Sequence, residues 1–315
     1  MGKTHFPATP GSGNEWAAML SQYQFGLPVG NVFFVSSLTG VDGSGYGRSP
    51  DSPLATIDYA VGLCTANNHD HIIVMPGHAE TVSAANGLDF DVAGITVIGL
   101  SSGSGRPTVT LGTATTATVR INAANVTVRN LLFVSNIDSL AVLLNINADY
   151  ASVEDCEFRS SSAKECVCFV SIATTKDFAS IRRCVFLQPT DPAGTDGAAE
   201  TGGIFLVDSE HVTIEECKFA GNFETATFHN RTTGAANLWI RDCYGIQNLS
   251  GAEPFQLASG ATGGVIGGGF ITPAEAAVTE ATLSGTLPAG FFAFGTRFGN
   301  DGGGGQNAVL LADAS

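Results

Sequence analysis

Four cysteines fall at the same place in four similar segments: DYASVEDCEF (149–158), DFASIRRCVF (177–186), EHVTIEECKF (210–219) and ANLWIRDCYG (236–245). Each segment has a β-branched residue, two polar residues, the cysteine, one more residue and then, in three of them, phenylalanine. ANVTVRNLLF (124–133) fits with Leu131 in the cysteine slot, ITVIGLSS (95–102) with Leu100, and GVIGGGFI (264–271) with Gly269. The slot then runs Leu100, Leu131, Cys156, Cys184, Cys217, Cys243, Gly269, in steps of 31, 25, 28, 33, 26 and 26 residues. Val97, Val128, Val153, Ile181, Ile214, Ile240 and Ile266 form a second column, and Phe133, Phe158, Phe186 and Phe219 a third.

Self-similarity at this period is the mark of a repeat architecture. Within a unit the pattern is that of strands. Val126 and Val128, then Leu131 and Phe133, alternate with polar neighbours, and the phase breaks once, at Arg129-Asn130. Alternation is the period of a half-buried strand, so the break predicts a bend with a new strand beyond it. Two or three short strands per unit, without a helical pattern between them, predict one turn of a parallel β-helix. Successive rungs then hydrogen-bond about 4.8 Å apart, and like residues stack. Leucine-rich repeats have similar lengths, but their signature is missing. A one-residue slip would turn every valine and phenylalanine to solvent, so the columns must face inward. Cysteine suits such a place because it is small, apolar and commonly buried. The four cysteines therefore read as core rather than as a metal or redox centre.

Seven cysteines, four of them stacked, indicate a thiol protein made in a reducing compartment rather than a disulfide scaffold. Glycine is abundant at 39 residues and charged residues scarce at 14%, as a turn-rich solenoid requires. A net charge of −15 argues against a nucleic-acid partner, because phosphate binding needs a basic surface. The opening MGKTHFPATPGSGNEW lacks an apolar signal core, and the stretch CVCFVSIA (166–173) is too short for a membrane span, so neither secretion nor a membrane partner is expected.

Three regions follow. Residues 1–30, with Pro7, Pro10 and Pro28, read as an arm in which Trp16, Met19, Tyr23 and Phe25 either anchor a neighbour or cover the base of the solenoid. Residues 31–271 form the β-helix. In it Leu54, Ile57, Ala60, Val61 and Cys64 lie on one helix face, predicting a capping helix near 54–65 that starts after Ser52-Pro53. Residues 272–315 place Phe291, Phe292, Phe294 and Phe298 before a glycine run, as a far cap or a self-association surface.

The stretch VFFVSS, then G-V-D-G-S-G, then SPDSPLATIDYAV and IIVMPGHAETV resembles the opening of pectin-lyase-like right-handed parallel β-helix proteins. The wording P-G-H-A-E-T is especially similar to β-helix proteins of tailed-phage genomes. The resemblance covers about residues 31–271 and implies an all-β, single-stranded right-handed solenoid. It also implies a search for sugar-chain chemistry, since fold alone assigns no function.

Outward carboxylates sit at the strand bend: Glu154-Asp155, Glu215-Glu216 and Asp242, with Arg182-Arg183 in the rung between and Arg241 beside Asp242. Such alternation predicts cross-strand ion pairing on a solvated face. The sharper reading is a carboxylate pair for glycoside hydrolysis, or a calcium-holding set beside a basic arginine. The motifs of polygalacturonase-like enzymes (N-T-D, D-D, G-H-G, R-I-K) and pectate-lyase-like enzymes (W-x-D-H, R-x-P-x-x-R) are missing. Gly77-His78 is followed by Ala79, and His229 reads as part of a turn. Asp42-Gly-Ser-Gly-Tyr-Gly and Gly299-Asn-Asp-Gly resemble calcium loops only weakly, and Cys166-Val-Cys168 lacks zinc spacing. No cofactor or metal is implied.

These observations lead to one expectation: a structural virion protein of a tailed phage, a capsid decoration or cement protein assembled in the host cytoplasm. It would be a homotrimer bound to the major capsid protein and not an enzyme. The alternative is a tail-associated protein that binds or degrades a surface glycan in an acidic groove of Glu154, Asp155, Glu215 or Asp208.

Overall fold

The computed structural model describes residues 30–161, 164, 166–188, 202–223, 225–230, 234–247, 253–272 and 288–300. The expected anchors Trp16, Tyr23 and Phe25, and the glycine run after residue 300, lie outside these residues.

The chain winds as a parallel β-solenoid of about seven turns, walled by three parallel sheets of ten, nine and seven strands. One turn shows the plan. Thr127–Arg129 lies in the first sheet, Leu132–Ser135 in the second and Leu144–Ile146 in the third. Ser152–Glu154 then returns to the first sheet beside Thr127–Arg129.

The phase break at Arg129-Asn130 is the bend between the first and second sheets. Asn130, Asp155, Arg183, Glu216 and Asp242 adopt left-handed φ values of 56°, 54°, 51°, 54° and 49°. One left-handed residue turns the chain sharply enough to start a new strand, at a cost of about 1 kcal/mol for a residue with a side chain. The hydrogen-bond ladder continues through the corner and offsets that cost. Asp155 N–H donates to the Arg182 carbonyl, Arg183 N–H to that of Glu215, and Glu216 N–H to that of Arg241. The return corner, from third sheet to first, repeats the device at Asn125, Tyr150, Phe178, His211 and Asn237, with φ between 53° and 60°. The connection from second to third sheet varies most in length, from Gly221–Ala226 to Leu187–Gly202, so it absorbs much of the uneven repeat length.

The inner columns form as the sequence predicts through the middle turns. Val97, Val128, Val153, Ile181, Ile214 and Ile240 are partners in register. Phe133, Phe158, Phe186 and Phe219 stack with centroids 5.2, 4.9 and 4.5 Å apart. Leu131, Cys156, Cys184, Cys217 and Cys243 are buried between them.

Both ends of the cysteine column need correction. Leu100 is 41% exposed. A longer bend at residues 100–107 swings it out, and the buried Pro107 takes the slot, accepting the Leu132 N–H one turn on. At the other end the register is one residue earlier than the sequence reading. Val265, not Ile266, pairs with Ile240, and Gly269 pairs with Tyr244. Gly268 is the residue opposite Cys243; a β-carbon there would lie 2.0 Å from the Cys243 carbonyl oxygen. Three consecutive glycines carry no side chains to set the phase, and the pull of Phe270 into the phenylalanine column decides it.

The helix spans Ile57–Gly62, shorter than the predicted 54–65, and buries Ile57, Ala60 and Val61 in the core. Its start is built by side chains. Thr56 Oγ1 accepts the Tyr59 N–H, and Asp42 accepts the Ala55 and Thr56 N–H groups. The Gly/Asp loop thus supplies a helix cap, the role in which an aspartate satisfies otherwise orphaned donors. Beyond residue 271, Phe291–Phe294 pairs with Gly263–Ile266 and Arg297–Asn300 with Gly269–Thr272, adding a further pair of strands. Phe291 faces inward and is buried, which removes it from the expected anchors; Phe292 and Phe294 remain exposed.

Candidate functional site

The bend ladder gathers most of the residues expected to carry chemistry. Asp155 accepts from Arg129 Nε at 2.9 Å and Arg183 Nε at 2.7 Å. Glu154 accepts from Arg183 at 3.2 Å, and Glu215 is held between Arg182 and Arg241, each at 3.2 Å. The rung alternation seen in the sequence is therefore realised as two ion-pair clusters along one edge, Arg129–Asp155–Arg183–Glu154 and Arg182–Glu215–Arg241, while Glu216 and Asp242 form no ion pair among the described residues. Hydrogen bonds from Arg183 and Arg129 hold the Asp155 carboxyl below its usual value, and Asp155 in turn pushes the Arg183 guanidinium up. A carboxylate kept ionised cannot donate a proton, and a guanidinium kept charged cannot accept one. Asp208 does not join this set. It lies on the return corner, at the opposite end of the first-sheet strand Thr213–Glu215.

The linkage has a definite sign. Asp155 titrates lower in the folded chain than its reference value of 3.8, so the unfolded chain binds more protons as pH falls past that value. The stabilisation is present above the reference value and is lost as pH drops through the folded value. Asp155→Asn is expected to flatten the acid limb of a stability-versus-pH curve below about pH 4. Unfolding midpoints measured from neutral pH downward check it.

The histidines are placed otherwise than a catalytic reading needs. His78 is buried; its Nδ1 accepts the Ser37 N–H at 3.0 Å and its Nε2 contacts Glu80 at 3.2 Å. Glu80 also accepts the Ile57 N–H, so this pair ties the helix to the neighbouring strands. His229 lies within the third-sheet strand Ala226–Asn230, not in a turn, and packs edge-on to Phe205 at 5.0 Å.

Six of the seven thiols are buried, and Cys64 is half-buried. Cys156, Cys184, Cys217 and Cys243 donate to main-chain carbonyls of the preceding turn at 3.5–3.7 Å. Burial pushes Cys166 and Cys64 to about 12, and burial with the flanking thiols pushes Cys184 up as well. The thiolate is the reactive form. Native protein at neutral pH is therefore expected to resist a thiol reagent, Cys64 reacting first and slowly, and all seven to react after unfolding. A timed Ellman titration checks it. Among the described residues, no three His, Cys, Asp or Glu side chains converge as a metal set.

A second feature escaped the sequence reading. The outer face of the second sheet carries a groove of about 590 Å³ lined by Val185, Leu187, Lys218, Tyr244, Ile271 and Arg297, among others. Its apolar rim is open to solvent: Tyr244 is 56% exposed, Ile246 50% and Ile271 42%. In the sequence these residues look like ordinary alternating positions of separate strands. Only the stacking of turns makes them one surface.

No protein-family model and no curated protein sequence matches the chain. Among solved structures, a rhamnogalacturonan lyase superposes with a TM-score of 0.51 at 12% identity, over 89% of this chain and 90% of that one. At that identity the likeness shows the fold, the pectin-lyase-like parallel β-helix, and leaves activity open.

Proposed function

We propose that this chain is a structural protein of a tailed-phage virion, a capsid decoration or cement protein whose solenoids pack as a homotrimer. The observation that carries the reading is the ion pairing along the bend. The carboxylates best placed for sugar chemistry, Glu154, Asp155 and Glu215, each bond to one or two arginines, which suits an edge that holds turns together. The phage-like opening motif and seven free thiols, fitting for a protein assembled in a reducing cytoplasm, support it. Electron microscopy of particles carrying gold-labelled antibody to this chain tests the location. Regular labelling of the head supports decoration, whereas unlabelled particles refute it. Sedimentation at several concentrations tests the trimer, and a monomer throughout refutes it.

The likeness to a rhamnogalacturonan lyase favours one rival, a polysaccharide-degrading protein. Incubation with host capsule or lipopolysaccharide and assay for unsaturated sugars or new reducing ends separates the two. Release of such products, abolished by Glu215→Gln, would replace the structural reading.

A further inference from the structure

We propose that the second-sheet groove is a binding site for an anionic amphiphile: a small molecule with an apolar or aromatic body and one or two anionic groups. Two strand registers define it. On one outward column Val185, Lys218, Tyr244, Gly269 and Arg297 succeed one another, one per turn. On the next column stand Leu187, Ala220, Ile246 and Ile271. The groove thus runs about 19 Å along the solenoid, with its two cations about 14 Å apart at one rung step per 4.8 Å.

Each feature restricts the ligand. Gly269 leaves a hollow between Tyr244 and Arg297. The atoms nearest to a β-carbon placed there would be those of Arg297 and Tyr244 at 3.5–3.9 Å, ordinary van der Waals contact, so a side chain is admitted without a clash. Gly245, in the turn of Tyr244, leaves room on the inner side that the Phe270 ring of the next turn fills, lying 2.6 Å from the place a β-carbon would occupy. The exposed Tyr244 ring and the Leu187, Ile246 and Ile271 side chains provide apolar contact, and an exposed apolar patch of this kind marks an interaction site. Among the described residues, the polar side-chain groups lining the groove are the Tyr244 hydroxyl, Lys218 and Arg297. A sugar chain, which must satisfy many hydroxyls, finds too few partners there.

The charge of the ligand follows from the two cations. The arginines of the bend are taken up by carboxylates, but Lys218 and Arg297 form no ion pair among the described residues. On a chain of net charge −15, two unpaired cations flanking one apolar groove select an anionic group by complementarity. An apolar body over the Tyr244–Ile271 floor with its anion toward Arg297 or Lys218 satisfies both halves of the site.

The test uses two probes that differ by one charge, 8-anilinonaphthalene-1-sulfonate and neutral N-phenyl-1-naphthylamine, followed by fluorescence on the full chain. Saturable one-to-one binding of the sulfonate is expected, displaced by dodecyl phosphate below its micellar concentration. Lys218→Gln with Arg297→Gln should weaken the sulfonate roughly tenfold and leave the neutral probe nearly unchanged. Gly269→Val, which fills the hollow with a residue suited to strands, should weaken both probes at unchanged melting temperature. Absence of saturable binding, equal loss of both probes in the charge variant, or full binding by Gly269→Val would overturn the proposal. Displacement by oligogalacturonate but not by dodecyl phosphate would overturn it in favour of a sugar. The proposal does not depend on where in a particle the chain resides, so failed head labelling leaves it standing.

Discussion

Phe186→Ala is expected to lower the free energy of unfolding by about 4 kcal/mol, the usual cost of emptying a buried phenylalanine site. Phe186 has no solvent exposure and stacks against Phe158 at 4.9 Å on one side and Phe219 at 4.5 Å on the other. Phe169 of the third sheet packs tilted against it at 6.2 Å. The turns above and below are fixed by their own hydrogen bonds, so the cavity has little freedom to collapse. Phe186→Leu refills most of the volume and is expected to cost less than about 1.5 kcal/mol. Denaturant unfolding followed by far-ultraviolet circular dichroism measures both. Equal, small losses for the two variants would show that the column tolerates voids and that the interior is not close-packed.

Asp70→Ala is expected to cost about 3 kcal/mol and to loosen the first turn before the rest. Asp70 is fully buried, and its carboxylate accepts the Asn31 N–H at 2.5 Å, the Thr65 N–H at 2.6 Å and the Asn68 side-chain amide at 2.6 Å. One side chain thus joins the strand at Val32, the chain leaving the helix and the strand at His71. Removing it takes the acceptor from three part-buried donors at once, and bonds to a charged group are each worth more than a neutral pair. Asp70→Asn keeps one acceptor oxygen and should fall between. Amide exchange distinguishes local from global effects: Asn31 and Thr65 should lose protection first, while Cys184 and Phe186 keep theirs. Uniform loss of protection would show that the whole solenoid unfolds as one unit.

Much of the fold was legible because like residues must stack in a parallel solenoid. Val128, Val153, Ile181 and Ile214 announce their register by recurring with the same neighbours, and the phase break at Arg129-Asn130 announces the bend. Legibility failed where side chains stop carrying phase information. In GVIGGGFI three glycines permit two registers one residue apart, and at Leu100 an inserted loop breaks the spacing that aligned it. The ion pairing along the bend was anticipated from alternating signs. Its consequence, an Asp155 shared by arginines of both adjacent turns, required distances.

The sequence by itself determined a parallel stack of turns with valine, cysteine and phenylalanine columns inside, because those identities recur at one place in each unit and only burial rewards the repetition. The four cysteines measure that stack, and their hydrogen bonds to the turn before are what a small buried thiol finds there. What the tertiary structure alone decided is the outside. Lys218, Tyr244, Ile271 and Arg297 lie far apart along the chain and share no motif. They become one groove because each turn sets its outward residues over those of the turn before, and outward positions need no repetition for the turn to fold.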